Sequence, residues 1–143
     1  MRAAAITAGE LEKRLSAEFP EMFNGTNGMR IEAVTHGASR VRQIFHSGLL
    51  RPGGTISGPT MMTLTDVAMY IAVLSAIGWV PLAVTNQLNI HFLRKPEPVD
   101  LIGEGRLLKL GKRLAVGEVT IRAEGKSEPV SHATLTYSIP STV

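Results

Sequence analysis

The sequence predicts an α+β domain: one curved antiparallel sheet of about six strands wrapped round a single long helix. Three observations carry the prediction. Residues 59–77 form a helical run that is apolar on nearly all sides, the mark of a helix enclosed by other structure. Two strand-like segments precede it and four follow. The turns between most of the later segments are short, so antiparallel pairing is expected.

The 143 residues fit one domain, read as a helical N-terminal extension over 1–24 and a single unit over 25–143. In "TAGELEKRLSAEFPEMF", Leu11, Leu15, Phe19 and Phe23 recur at helical spacing. Thr7 with Glu10 makes a capping box, and Pro20 ends or kinks the helix. "NGTNG" is a turn. "MRIEAVTHG" sets Met29, Ile31 and Ala33 against Arg30 and Glu32, a strand alternation, and "ASRVRQIFH" is the second strand. "SGPT" puts Pro59 just inside the central helix, where its missing N–H is not needed. Gly78 stops that helix after Ile77. The remaining strands are "LAVTNQLNIHFLR", "DLIGEGRLLKL", "RLAVGEVTIRAEG" and "EPVSHATLTYSI".

With no cysteine, a disulfide framework, a thiolate metal site and a cysteine nucleophile are all excluded. That suits a reducing cytoplasm, the expected location. The first nineteen residues hold too short an apolar core for a secretory leader and are too acidic for a transit peptide. Asp66, Thr60, Thr63, Thr65 and Ser75 interrupt the central run, so a core helix is expected rather than a membrane span. A net charge of +3 is too small to argue for nucleic acid. Between Ala33 and Glu97 the sole acid is Asp66, against Arg40, Arg42, Arg51, Arg94 and Lys95. "RLLKLGKR" is a second acid-free basic run. These cations are either solvated strand ends and turns or a site for a polyanionic small ligand such as a phosphorylated cofactor.

Four segments in order carry a family resemblance: "SGPTMMTLTDVA", "LNIHFLRKP", "LLKLGKRLAVGEVTI" and "SHATLTYSI". From about Met29 to Pro140 the chain resembles the hotdog-fold thioesterases, in particular the small PaaI-like acyl-CoA thioesterases. The family's helix entry reads His-Gly-Gly, then a short apolar run, then an acid. Aligned on Asp66, Gly58 takes the first glycine, Ser57 the histidine and Pro59 the second glycine. The family often has a polar residue, usually asparagine, a few positions earlier, where Arg51 is nearest. The resemblance implies a homodimer with sites at its interface, often a dimer of dimers. It implies a small or medium acyl-CoA substrate and no cofactor beyond that coenzyme A, with Asp66 as nucleophile or general base and the Gly58 N–H polarising the thioester carbonyl.

Elementary chemistry agrees with these roles. A carboxylate on an apolar helix is costly unless needed there, and withdrawal from water makes a carboxylate a readier proton acceptor. Gly58 offers an unobstructed N–H at the positive end of a helix. Eight residues of helix separate the two, roughly 12 Å. Both must lie about 3 Å from one reacting centre, so the expected site is shared between two subunits.

Arg51 and Ser57 are candidate substrate contacts, as are Thr85 and Asn86, between which strand parity does not choose. Arg94, Lys95, Lys112 and Arg113 are candidates for the phosphates of coenzyme A. Met61, Met62, Met69 and Tyr70 are either core or acyl-tunnel residues. His91 alternates with Ile90 and Phe92 and so faces away from them, and His36 is a turn residue. With His46 and His132 these four histidines lack metal-ligand spacing, and no metal is expected. Two other readings compete: a non-catalytic acyl-CoA binding protein of the same fold, and a 3-hydroxyacyl dehydratase. The dehydratase normally needs a histidine where Ser57 stands.

Overall fold

The computed structural model describes residues 2–141, so Met1, Thr142 and Val143, at the outer ends of the two predicted segments, lie outside the described residues. Helix α1 (Ala8–Glu18) is followed by β1 (Met29–Thr35), β2 (Ala38–Gln43), a 3₁₀ turn at Ser47–Leu49 and α2 (Gly58–Ile77). Then come β3 (Val84–Phe92), β4 (Leu101–Leu110), β5 (Leu114–Ala123) and β6 (Pro129–Ser138). The strands form one six-stranded sheet in the order β1-β2-β4-β5-β6-β3, every neighbouring pair antiparallel. Leu64, Ala68, Ile71 and Leu74 of α2 are fully buried in its hollow.

The helix approaches the sheet closely because glycines stand where side chains would obstruct it. A Cβ on Gly105 of β4 would lie 2.8 Å from the Ala68 carbonyl oxygen and 2.8 Å from Ser39 Oγ. That serine donates to the same carbonyl at 2.7 Å, so strand, helix and serine meet at one point. On Gly117 of β5, a Cβ would fall 2.6 Å from Met69 Sδ. Gly105→Ala is therefore expected to cost about 1–3 kcal/mol, the range for overpacking a close contact. Urea unfolding measures it, and an unmoved midpoint would contradict the contact.

The two sheet edges differ. At β1 the N-terminal segment covers the edge: Glu12 Oε1 accepts the Ile31 N–H at 2.8 Å. Leu11 and Leu15 of α1 enter the main core, so the N-terminal extension and the rest of the fold share one interior. The β3 edge is open, and nearly every residue of β3 is exposed. An open strand edge is a row of unpaired backbone groups.

By length and composition α2 would pass as a membrane span, but 61% of that window is buried inside the fold. Its enclosure is not complete. Pro59 and Met62 are exposed, and Thr63, Asp66 and Tyr70 are half-buried along the same stripe. The helix is wrapped on nearly all sides, as its sequence predicts, and the one stripe left open within a single chain contains Asp66.

Arg40 and Arg42 belong to a cross-strand ion network. Glu32 accepts from Arg40 at 2.8 Å and Arg42 at 2.5 Å, and Arg42 also reaches Asp100 and Glu124. Burial pushes the Glu32 carboxyl up, but the two guanidiniums reverse this and hold it below the usual range. These two arginines are taken up by structural partners, which decides for them between the two readings of the basic residues.

Candidate active site

Asp66 is held by β3 and β6. Its Oδ1 accepts from Thr85 Oγ1 at 2.5 Å and from the Tyr137 hydroxyl at 2.8 Å. Tyr137 also lies 3.1 Å from the Asp66 carbonyl oxygen, which ties ring and helix together. Burial above all, then the negative charge of Asp66, push the Tyr137 hydroxyl well above the usual phenol range, so it remains a donor. Both side-chain donors use one oxygen. Oδ2 has no protein partner among the described residues, and Asp66 lines a cavity of about 510 Å³ with Val67, Tyr70, Trp79, Val84 and Tyr137. A carboxylate fixed through one oxygen, with the other free beside an apolar hollow, is placed to take a proton from water or to attack a carbonyl carbon.

Gly58 opens α2. Ser57 is the N-cap: its Oγ accepts from the Thr60 N–H at 3.3 Å and lies 2.9 Å from Thr60 Oγ1. The Met61 N–H reaches the Ser57 carbonyl, and Pro59 has no N–H. The Gly58 N–H is thus the first-turn donor left over, pointing along the positive end of the helix. Gly58 lines a second cavity of about 320 Å³ with Arg51, Phe92, Arg94 and Lys95. Arg94 donates to the Pro129 carbonyl at 2.7 Å and pairs with Glu128 at 3.4 Å, which fixes its guanidinium at the rim.

Within one chain the structure joins Asp66 to Thr85, and Gly58 to Arg51, Arg94 and Lys95, in two different cavities. Asn86 sits in a β-bulge, since the register with β6 shifts between Thr85 and Gln87, and it is exposed. Lys112 and Arg113 are exposed at the β4–β5 hairpin and line neither cavity. Of the four possible tunnel residues, Tyr70 lines the Asp66 cavity and Met61 the Gly58 cavity. Met69 is buried against Gly117, and Met62 is exposed. His91 is exposed opposite His132, and His36 is in a turn, both as expected. His46 caps the 3₁₀ turn, and His132 binds Glu118.

Sequence reasoning missed Tyr137. The signal was available: Ala133, Leu135 and Tyr137 alternate onto the inner face of β6, and a buried tyrosine hydroxyl needs a partner. Tyr137→Phe removes one of two donors to the carboxylate and is expected to lower kcat about tenfold or more with a smaller change in KM. Steady-state thiol release measures it; unchanged kcat would separate Tyr137 from the site.

A long helix in the hollow of a curved six-stranded antiparallel sheet is the hotdog fold. Residues 53–130 match the family described as the thioesterase superfamily, and the chain belongs to it. A solved structure from Silicibacter sp. TM1040, named as a thioesterase, is 42% identical with a TM-score of 0.86, covering 96% of this chain and 94% of that one. A Saccharolobus solfataricus protein carrying an esterase name is 30% identical over 115 residues, 80% of this chain and 74% of that protein. Two more distant structures share the fold. The Escherichia coli PaaI protein of the phenylacetic acid degradation operon is 18% identical with a TM-score of 0.78, over 94% and 91% of the two chains. A hypothetical thioesterase of Streptococcus pneumoniae TIGR4, solved with coenzyme A, is 21% identical with a TM-score of 0.77, over 89% and 97%.

Proposed function

We propose that the protein hydrolyses acyl-CoA thioesters at two equivalent sites, each built from Asp66 of one subunit and Gly58 of another. The observation that carries this is the free Oδ2 of an otherwise fixed carboxylate beside an apolar cavity. Oδ2 either takes a proton from water as that water attacks the thioester carbon, or attacks the carbon itself. In both routes the carbonyl oxygen becomes an oxyanion, and the C–S bond breaks as the carbonyl re-forms. When Oδ2 acts as base, the proton it took from water passes to the departing thiolate. When Oδ2 attacks, the acyl group stays on Asp66 as a mixed anhydride, the thiolate takes a proton from solvent, and water then hydrolyses the anhydride to the acid and the free carboxylate. A helix-start N–H is the kind of donor that stabilises such an oxyanion.

The open β3 edge supports the shared site. Thr85, beside Asp66, lies near one end of β3, while Phe92, which faces Gly58, ends it. Antiparallel pairing of β3 with a second β3 about a two-fold axis near its middle sets each Thr85 opposite the other Phe92. Each Asp66 then meets the other Gly58, across the stripe of α2 that one chain leaves uncovered. The family resemblance extends this to a dimer of dimers.

Arg51, Arg94 and Lys95 form a cationic cavity without an acid, suited to phosphate oxygens, and Lys112 and Arg113 add charge at the hairpin. The coenzyme A bound by the Streptococcus pneumoniae protein is consistent with this use. Asn86, exposed in the bulge next to Thr85, and Ser57 at the helix start would border the substrate. The reaction needs no cofactor beyond the substrate's own coenzyme, and the cytoplasm is the compartment we assign.

A thiol-release assay over an acyl-CoA panel, with light scattering for subunit number, tests the proposal. Turnover by a dimer or larger assembly supports it. Tight acyl-CoA binding without thiol release would replace it with the binding-protein reading.

A further inference from the structure

The Asp66 cavity has a wall that the family match does not contain. Leu15, Glu18 and Phe19, at the end of α1, line it, whereas the matched segment starts at residue 53. The wall is anchored: Leu15 is buried, Glu12 holds the β1 edge, and the Arg14 guanidinium lies 5.1 Å from the centre of the Trp79 ring, itself part of the cavity lining. Pro20 stops the helix so that Phe19 is its C-cap, 39% exposed and turned to the hollow instead of the core.

The two cavities also differ in charge. The Gly58 cavity is lined by three cations and no acid. The Asp66 cavity is lined by two carboxylates, Asp66 and Glu18, and among the described residues by no cation. A thioester with polyanionic and acyl ends is therefore oriented by charge as well as by shape.

We infer that the end of α1 is a selectivity wall of this site: Phe19 and Leu15 limit acyl size, and Glu18 disfavours acyl groups ending in a carboxylate. The inference rests on the acyl-CoA reading above and adds the substrate class, neutral acyl groups of limited length. Glu18 is exposed, so its effect is screened and is expected to be of moderate size.

The test compares kcat/KM for hexanoyl-CoA, adipoyl-CoA and dodecanoyl-CoA in wild type, Glu18→Gln, Phe19→Ala and Phe19→Trp, at low salt. Wild type is expected to favour hexanoyl over adipoyl by about tenfold or more, and Glu18→Gln to narrow that ratio about threefold. Phe19→Ala should raise dodecanoyl relative to hexanoyl by about fivefold, and Phe19→Trp should lower it. Thermal melts confirm folding of each variant. A ratio that stays at its wild-type value in the corresponding variant overturns the assignment of that residue. The same ratios are read from the Kd values of non-hydrolysable thioether analogues. Ratios that move in binding while thiol release is absent would sink the hydrolase reading and leave the wall standing.

Discussion

Asp66→Asn is expected to lower kcat for thiol release by about a thousandfold while leaving the fold in place. The loss follows from removing the one group positioned as base or nucleophile, a role worth about 10²–10⁴ in rate where it acts as a base. Retention of the fold follows from the geometry. Asparagine keeps an Oδ1 that can accept from Thr85 and Tyr137, so both contacts that orient residue 66 persist. KM should change little, because the amide fills the same volume and the cationic cavity at Gly58 is untouched. Steady-state kinetics beside a thermal melt gives both readouts. Undiminished release in a folded variant would take Asp66 out of the mechanism, and collapse of the melt would make it a structural acid bonded to Tyr137.

The elements were legible because their signals are local. Pro59 and Gly78 bracket α2, which runs from Gly58 to Ile77. Pro20 ends α1, with Glu18 its last helical residue. Strand-forming runs bounded by short turns place the strands, although alternation alone does not fix the face of β1 past its bulge or of β3. The site was legible only where chemistry stands out against its surroundings, as Asp66 does among apolar residues. Its partners are long-range, contributed by strands β3 and β6. The choice between Thr85 and Asn86 turned on a β-bulge, an irregularity that alternation does not encode. Arg40 and Arg42 read as free cations because their nearest acid, Glu32, stands just outside the acid-free stretch on the neighbouring strand, and the others, Glu104, Asp100 and Glu124, are about sixty or more residues away along the chain. The wall of α1 was hidden for a similar reason: Phe19 has the spacing of a core residue, and only its position at the C-cap turns it to the cavity.

Gly58→Pro should be as damaging as the loss of an oxyanion donor, about a hundredfold or more in kcat, and it distinguishes a shared site from a self-contained one. Proline removes the N–H and adds ring carbons beside Phe92. Any side chain at 58 is constrained by the following Pro59, so the alanine variant is needed to separate the lost donor from the added carbons. The first helical turn is where proline is favoured, Gly58 does not take a positive φ, and its N–H is the first-turn donor without an internal partner. Gly58→Ala is the control. It keeps the N–H, and its Cβ would rest 3.6 Å from the Phe92 ring, an ordinary contact, so it should lose much less than the proline variant. Mixing Gly58→Pro with Asp66→Asn under conditions that exchange subunits then gives a result the two pure variants cannot. Half of the dimers are mixed, and each mixed dimer has one site with Asp66 from the first chain and the Gly58 N–H from the second. The other site lacks both. Recovery to about a quarter of wild-type activity is expected. If both groups came from one chain, every site in the mixture would lack one of them, and activity would stay at the level of the separate variants.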